Sequence, residues 1–246
     1  MSLMEEAKPT PIKAVPATSV LVVRDADDGV EVLMIGRNEK LSFAAGMLVF
    51  PGGRVDGTDG ELARCCADFD GLDASEVATR VAGLREVYEE TGVLLARPKG
   101  RESLLTAAEV EAVVEPLTLS LGRAPTFTEI LATDTLELPT DRMVFFTHFI
   151  TPEGRPKRFD TRFYVIEAPP DQEAIHDGSE AVSSLWTTPA KAFAAADAGE
   201  VKMMHPTRRN LDKLAANPTV ALALAAARAS ASEIVAIIPP SPRGEP

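Results

Sequence analysis

The chain has 246 residues, 45% of them apolar, and a formal net charge of −12. This length and apolar content are typical of one globular domain with additions. The acidic balance argues against general nucleic-acid binding, which needs a basic surface. The N-terminal sequence lacks the apolar segment of a signal peptide, and no apolar run approaches the roughly 18 residues of a membrane span. We therefore expect a cytoplasmic protein that has no membrane partner.

Hydrophobic periodicity predicts strands and helices along most of the chain. The strands are predicted at 17–24, 30–37, 47–50, 141–151, 158–167 and 181–187, with an edge strand at 234–238. The helices are predicted at 59–68, 75–91, 104–114, 189–196, 207–216 and 219–229. Ser75 is the predicted N-cap of the second helix, and residues 116–125 are predicted to form a loop.

These elements predict an α/β fold, a sandwich of helices on both faces of a mixed sheet. We expect a flexible N-terminus at 1–14 and one domain at 15–200. Residues 201–246 are expected to form a C-terminal helical extension that packs on the same domain. The sequence contains no internal repeat and no long linker.

Three carboxylates share one face of the helix predicted at 75–91. Glu86, Glu89 and Glu90 lie at positions i, i+3 and i+4, which places their Cβ atoms about 5–6 Å apart. Arg85 lies four residues before Glu89 and can orient it, and Gly92 is suited to the position that ends the helix. Such acids repel one another unless a hard divalent cation binds them. The alternative is a solvated acidic face, which is common on surface helices.

Phe50-Pro51-Gly52-Gly53 lies upstream, and this order favours the metal-binding interpretation. Residues 50–93 resemble the signature box of the Nudix hydrolases, Gly-x5-Glu-x7-Arg-Glu-apolar-x-Glu-Glu-x-Gly-apolar. The second half is complete from Arg85 to Val93. The first half is stretched, since Arg85 follows Gly53 by 85 − 53 = 32 residues instead of 14, which leaves 18 extra residues in an insertion at about 57–74. The chain resembles the branch with such an insertion, which includes peroxisomal CoA diphosphatases.

The resemblance implies a Nudix-like sandwich and a Mg²⁺ or Mn²⁺ ion held by Glu86, Glu89, Glu90 and the Gly53 carbonyl. Glu180, in a loop six residues before Trp186, corresponds to a further metal ligand or general base of the family, with Glu173 as its rival. Glu86 is the other candidate base. Position six after Gly53 holds Asp59 instead of Glu, and Glu76 lies next to the position eight residues before Arg85, so the first Glu of the box has no assigned counterpart.

The expected reaction is hydrolysis of a nucleoside diphosphate linked to another group. A pattern associated with CoA-cleaving members matches at Arg37, Gly46 and 50–53 but departs at Asn38 and Ser42. Arg37, and then Arg54 after the glycine turn, are the candidates for binding substrate phosphates. ADP-ribose, NADH and capped RNA are alternative substrates. A non-catalytic nucleotide-sensing module and a plain α/β scaffold are alternative functions, and a homodimer stays open.

Overall fold

The computed structural model of this protein describes residues 12–37, 46–67, 71–175 and 181–239. Eight strands are formed there: β1 (Val15–Ala26), β2 (Gly29–Arg37), β3 (Leu48–Val49), β4 (Arg97–Pro98), β5 (Leu136–Glu137), β6 (Val144–Ile150), β7 (Phe159–Glu167) and β8 (Ala181–Thr187). The helices in the same ranges are α1 (Ala74–Thr91), α2 (Ala107–Leu121), α3 (Phe127–Leu131), α4 (Pro189–Asp197), α5 (His205–Ala215) and α6 (Val220–Ser230), with short 3-10 helices at Asp59–Cys65 and Ala231–Glu233.

Six of these strands form one mixed sheet. Five of them follow the order β3-β2-β1-β7-β6, and the sixth, β8, also pairs with β2. The pairing of β1 with β7 is parallel, whereas the remaining pairs in this sheet are antiparallel. β1 and β2 form the predicted hairpin, which turns at Asp27-Asp28. β4 and β5 form a separate two-stranded sheet that the sequence did not predict.

Helices cover both faces of the large sheet, which confirms the predicted α/β sandwich. Alternate residues of β1 enter two different cores: Val20 and Val22 pack on the side of α1, and Leu21 and Val23 pack on the side of α5 and α6. A strand that is buried on both faces lacks polar alternation, as β1 does between Ala17 and Val23. None of the helices in the described ranges is both long enough and apolar enough to cross a bilayer.

A glycine lets α1 approach β1 closely. A Cβ atom at Gly83 would lie 2.7 Å from the Val20 side chain and 3.0 Å from the Thr18 hydroxyl. Any larger residue would therefore push the helix away from the sheet. Glu86 lies one turn later on α1, so this contact also sets how near its carboxylate comes to β1 and the glycine turn.

Several predicted boundaries are wrong, for local reasons. The N-cap of α1 is Asp73 and not Ser75, because the Asp73 carboxylate accepts a hydrogen bond of 2.8 Å from the Glu76 N–H. α2 runs through Pro116 to Leu121 instead of ending before 116–125, since a capping box at Thr106 and a left-handed Gly122 fix its two ends. In 234–238 the predicted strand is reduced to a single bridge at Ile237.

The 3-10 helix Asp59–Cys65 belongs to the insertion, and it packs into the protein. Leu62 and Cys65 are 3% and 5% exposed and join the core on the α1 side. The Cys65 carbonyl accepts the Leu138 N–H at 2.6 Å, and the Ala67 N–H donates to the Leu138 carbonyl at 2.8 Å. This part of the insertion therefore belongs to the folded core and is not a surface loop.

Leu62→Ala should destabilise the fold by about 2–5 kcal/mol, because it removes a buried side chain and leaves a cavity. The free energy of unfolding from urea denaturation measures this loss. Glu61→Ala is the matched control, since Glu61 is an exposed residue of the same helix and should have little effect. A Leu62 variant as stable as the Glu61 variant would contradict the structural role of the insertion.

Candidate active site

The Phe50-Pro51-Gly52-Gly53 turn is held between β1 and α1. A Cβ atom at Gly52 would lie 2.3 Å from the Thr18 carbonyl oxygen, and one at Gly53 would lie 2.3 Å from a Glu86 carboxylate oxygen. Gly52 is therefore required for steric reasons, because its neighbour is backbone, whereas a larger residue at Gly53 would displace the Glu86 carboxylate. The Thr18 N–H donates to the Gly53 carbonyl at 2.9 Å, which fixes the turn beside β1.

Glu90 connects the glycine turn to the end of β2. Its Oε2 atom accepts the Gly52 N–H at 2.8 Å, and Nη1 of Arg37 lies 3.4 Å from its Oε1 atom. Glu90 is only 4% exposed. A buried carboxylate is costly unless it is hydrogen-bonded and paired, and these contacts supply both requirements. The structure thus brings Arg37 to the acidic cluster, 53 positions away in sequence.

Arg85 contacts most of the other acids. Its guanidinium donates to Asp59 at 2.8 and 3.1 Å, to Glu86 at 2.9 Å and to Glu89 at 2.8 Å, and also to the Arg54 carbonyl at 3.1 Å. Burial alone would lower the pKa of Arg85, but its hydrogen bond to Asp59 and the nearby carboxylate charges outweigh burial and raise the pKa above its ordinary value. Arg85 is therefore a permanent cation that fixes the positions of Glu86 and Glu89.

Asp59 is the site residue to which sequence analysis gave no role. Its side chain is fully buried, holds Arg85 through both oxygens and also accepts the Asp56 N–H at 2.6 Å. Asp59 is the sixth residue after Gly53, which is the position of the first Glu in the Nudix signature box. Only the fold shows that the shorter Asp side chain reaches Arg85.

Glu76 belongs to a different network. It binds Arg80, Arg162 and the Tyr164 hydroxyl at 3.2, 2.8 and 2.9 Å. At 1.5 Å per residue, it also lies about 15 Å from Glu86 along α1. Its carboxylate joins the start of the helix to β7, which excludes it as the counterpart of the first Glu of the box.

Among the described residues, the cluster contains more acidic than basic side chains. Glu89 and Glu90 lie in the last turn of α1, which contains no basic residue. The helix dipole is negative at that end and disfavours acids there by about 0.3–1 kcal/mol each. Four carboxylates and two guanidinium groups give a formal charge of −4 + 2 = −2: Asp59, Glu86, Glu89 and Glu90 against Arg37 and Arg85.

The donor types and the charge fit a divalent cation, although the side chains are arranged around Arg85. Among the residues that the structure describes, no three His, Cys, Asp or Glu side chains converge on a common point. Carboxylate oxygens are the ligands that Mg²⁺ and Mn²⁺ prefer. The Glu89 side chain is 45% exposed, so its second carboxylate oxygen is accessible to a cation while the first contacts Arg85. The Gly53 carbonyl keeps a second lone pair beyond its bond to Thr18.

The structure gives less information about the other site residues that were predicted from the sequence. Arg54 is exposed and follows the glycine turn, and its backbone carbonyl contacts Arg85. Glu173 is exposed near the end of a described range. Glu180, like Asn38 and Ser42, lies outside the described residues, so its predicted role stays a prediction.

Comparisons with known proteins agree with this geometry. Residues 67–214 match the NUDT19 Nudix domain family. The chain is similar to the acyl-coenzyme A diphosphatase NUDT19 of Gallus gallus, with 27% identity over 243 residues, 75% of this chain and 61% of the relative. For the protein of that name from Xenopus laevis, the identity is 26% over 204 residues, 66% of this chain and 54% of the relative. The chain thus spans less than two thirds of the length of these relatives.

One solved structure has a similar fold over nearly its whole length. The crystal structure of a NUDIX hydrolase from Alicyclobacillus acidocaldarius is 27% identical to this chain and superimposes with a TM-score of 0.69. The match covers 87% of this chain and 96% of that one.

Asp59→Asn should cost up to about 3–5 kcal/mol of folding stability, because it removes the buried carboxylate from the pair and leaves Arg85 only its contacts with Glu86 and Glu89. Urea denaturation at constant pH measures this change. Asp56→Asn is the control, because Asp56 is exposed and its contact with the Thr58 N–H survives in the amide. Loss of less than about 1 kcal/mol would mean that the Asp59–Arg85 pair does not hold the site together.

Proposed function

Because this chain belongs to the NUDT19 Nudix domain family, we propose that it is a metal-dependent diphosphatase that cleaves a nucleoside diphosphate linked to another group. This family assignment confirms the resemblance found in residues 50–93. The observation that carries the activity is the set of carboxylates that the fold brings together near the C-terminal end of α1 and next to the glycine turn: Asp59, Glu86, Glu89 and Glu90. A diphosphate is itself anionic, so it can bind there only together with cations.

In this proposal, Glu86, Glu89 and Glu90 hold Mg²⁺ or Mn²⁺, and the Gly53 carbonyl is the fourth ligand. A bound cation would neutralise the diphosphate and polarise its phosphorus–oxygen bonds. Arg85 positions Glu86 and Glu89, and the Gly52 N–H positions Glu90. These contacts hold the carboxylates before substrate binds, which lowers the cost of organising them during the reaction.

The reaction needs a base to take a proton from the attacking water. The oxygen of that water would form a bond to one phosphorus while the bridging phosphorus–oxygen bond breaks. Glu86 and Glu180 are the two candidate bases. Glu86 packs on Gly53 and its side chain is 16% exposed, so solvent can reach its carboxylate. Such a group acts as a base if it lies within hydrogen-bonding distance of the water.

CoA or acyl-CoA is the proposed substrate, with 3′,5′-ADP and 4′-phosphopantetheine, or its acyl derivative, as products. The names of the relatives from Gallus gallus and Xenopus laevis support this choice, as does the partial CoA pattern that begins at Arg37. Arg37 lies at the edge of the acidic cluster and is the first candidate for the 3′-phosphate, and Arg54 is the second. ADP-ribose and NADH are the alternative substrates. A nucleotide-sensing module is the alternative function, and absence of turnover with every substrate would favour it.

The proposal also covers the organisation and location of the protein. It places the catalytic domain at 15–200 and treats 201–246 as a helical extension on that domain. α5 and α6 pack on the sheet opposite α1, which supports the packing of this extension on the same domain. A cytoplasmic location belongs to the same proposal, and fractionation of cells that express the protein would test it.

Glu89→Gln should lower turnover of the cleaved substrate by about 10²–10³-fold, because it removes one charged group from the electrostatic stabilisation of the transition state. Glu90→Gln should lower it similarly, but its burial predicts a loss of stability as well. The measurement is steady-state hydrolysis of CoA with Mg²⁺ or Mn²⁺, together with thermal melting. Glu115→Gln, an exposed acid on α2, is the control. Glu89→Gln activity within about threefold of the control would remove Glu89 from the metal site.

Arg37→Ala should reduce kcat/KM for CoA by roughly ten- to a hundredfold, the value of one charge-assisted contact. Hydrolysis of dephospho-CoA, which lacks the 3′-phosphate, should change much less. An equal loss with both substrates would show that Arg37 acts only through its contact with Glu90. If the wild-type protein prefers ADP-ribose or NADH, the CoA assignment fails and the diphosphatase assignment stands.

A further inference from the structure

An apolar groove opens beside the acidic cluster. It has a cavity volume of about 450 Å³, which lies in the range of small-molecule sites. It lies between the end of α1, one side of α2, the start of α3 and the segment before residue 176. The residues that define it are Tyr88, Glu89, Val110, Val114, Phe127 and Ile175.

α2 leaves this groove open because it packs incompletely. Its apolar side chains recur at helical spacing on the side that faces the core: Val110, Val113, Val114 and Leu117. None of the residues of α2 is fully buried, however. Across the groove, Ile175 is 69% exposed, whereas Phe127 is 1% exposed and forms the floor. Apolar surface thus stays accessible on both walls.

Glu89 belongs both to the groove and to the acidic cluster. Its carboxylate contacts Arg85 on one side, and its neighbour Tyr88 stacks against Phe127 with ring centroids 6.1 Å apart. A ligand with its diphosphate at Glu89 can therefore extend directly into the groove.

The two sides of the cluster differ in charge. At 100° per residue, Tyr88 and Glu90 point about 160° apart on α1, so the groove and the Arg37 side are separated by the helix. The described residues that line the groove include Glu89 but no Lys or Arg. This lining disfavours phosphate groups and favours uncharged chains.

We propose that this groove binds the pantetheine arm of CoA and that the nucleotide half lies on the Arg37 side. The inference rests on the proposed function and assigns the two halves of the substrate to two surfaces. Pantetheine carries a dimethyl group, methylene groups and uncharged amides, which match apolar walls. The nucleotide half carries the 3′-phosphate, which needs the cation that the groove lacks.

Val114→Trp tests the assignment because it fills the groove from the wall formed by α2. Isothermal titration calorimetry with Mg²⁺ measures binding of 4′-phosphopantetheine and of adenosine 3′,5′-bisphosphate separately. We expect affinity for 4′-phosphopantetheine to fall at least tenfold and affinity for the bisphosphate to stay within twofold. Leu119→Trp is the matched control on the same helix, since Leu119 is 78% exposed and lies outside the groove, and it should change neither affinity.

Ala124→Trp is the second variant, because Ala124 lies in an exposed part of the groove wall and its replacement puts little strain on the core. If Val114→Trp does not fold, the affinities of Ala124→Trp for 4′-phosphopantetheine and for adenosine 3′,5′-bisphosphate test the same assignment. Equal effects on both ligands, no effect on either, or selective loss of the bisphosphate would overturn the proposal. Wild-type protein that cleaves CoA while the variants bind both ligands normally would overturn the groove assignment alone. Wild-type protein that does not cleave CoA would overturn the proposed substrate.

Discussion

The central constraint on this structure is the mutual repulsion of four carboxylates that lie close together near the negative end of α1. Arg85 compensates part of that charge, and buried Asp59 fixes Arg85 in place. Both contacts require α1, β1 and the glycine turn to lie very close together. Gly83 and Gly53 allow this approach, since a Cβ atom at either position would overlap a neighbour. The glycines and the ion pairs thus serve one purpose, which is to hold an excess of negative charge at a fixed place.

The same network explains how an insertion is accommodated within the box. The spacing from Gly53 to Asp59 is preserved, and the 18 extra residues come between Asp59 and Arg85. Asp59 still contacts Arg85. The inserted residues follow this contact in the chain, and α1 then brings the chain back to the site. Part of the added length packs through Leu62 and Cys65, so it offsets its own conformational entropy by burying apolar surface.

The sequence predicted the features that depend on regular spacing. The acidic face of α1, the glycine turn and the strands of the main sheet all follow from periodicities that hold over a few residues. Asp59 was counted but not assigned, since its partner lies 26 residues away and an Asp is shorter than the expected Glu. Pro116 suggested a loop, yet the caps at both ends of α2 outweigh it. The groove could not be predicted, because it combines four segments that are distant in sequence.

The geometry of α1 also separates the carboxylates proposed for catalysis from the surfaces proposed for substrate recognition. The acids lie on one face of α1, where their contacts to Arg85 and the glycine turn tolerate little change. The two flanks of that face are formed by other elements, with the Arg37 end of β2 on one side and α2 with α3 on the other. The α2 and α3 side can vary in charge and shape without displacing the carboxylates, whereas Arg37 also pairs with the buried Glu90. In the proposed complex, a diphosphate held at the centre would present each of its two substituents to a different surface, so each half of the substrate would be recognised independently.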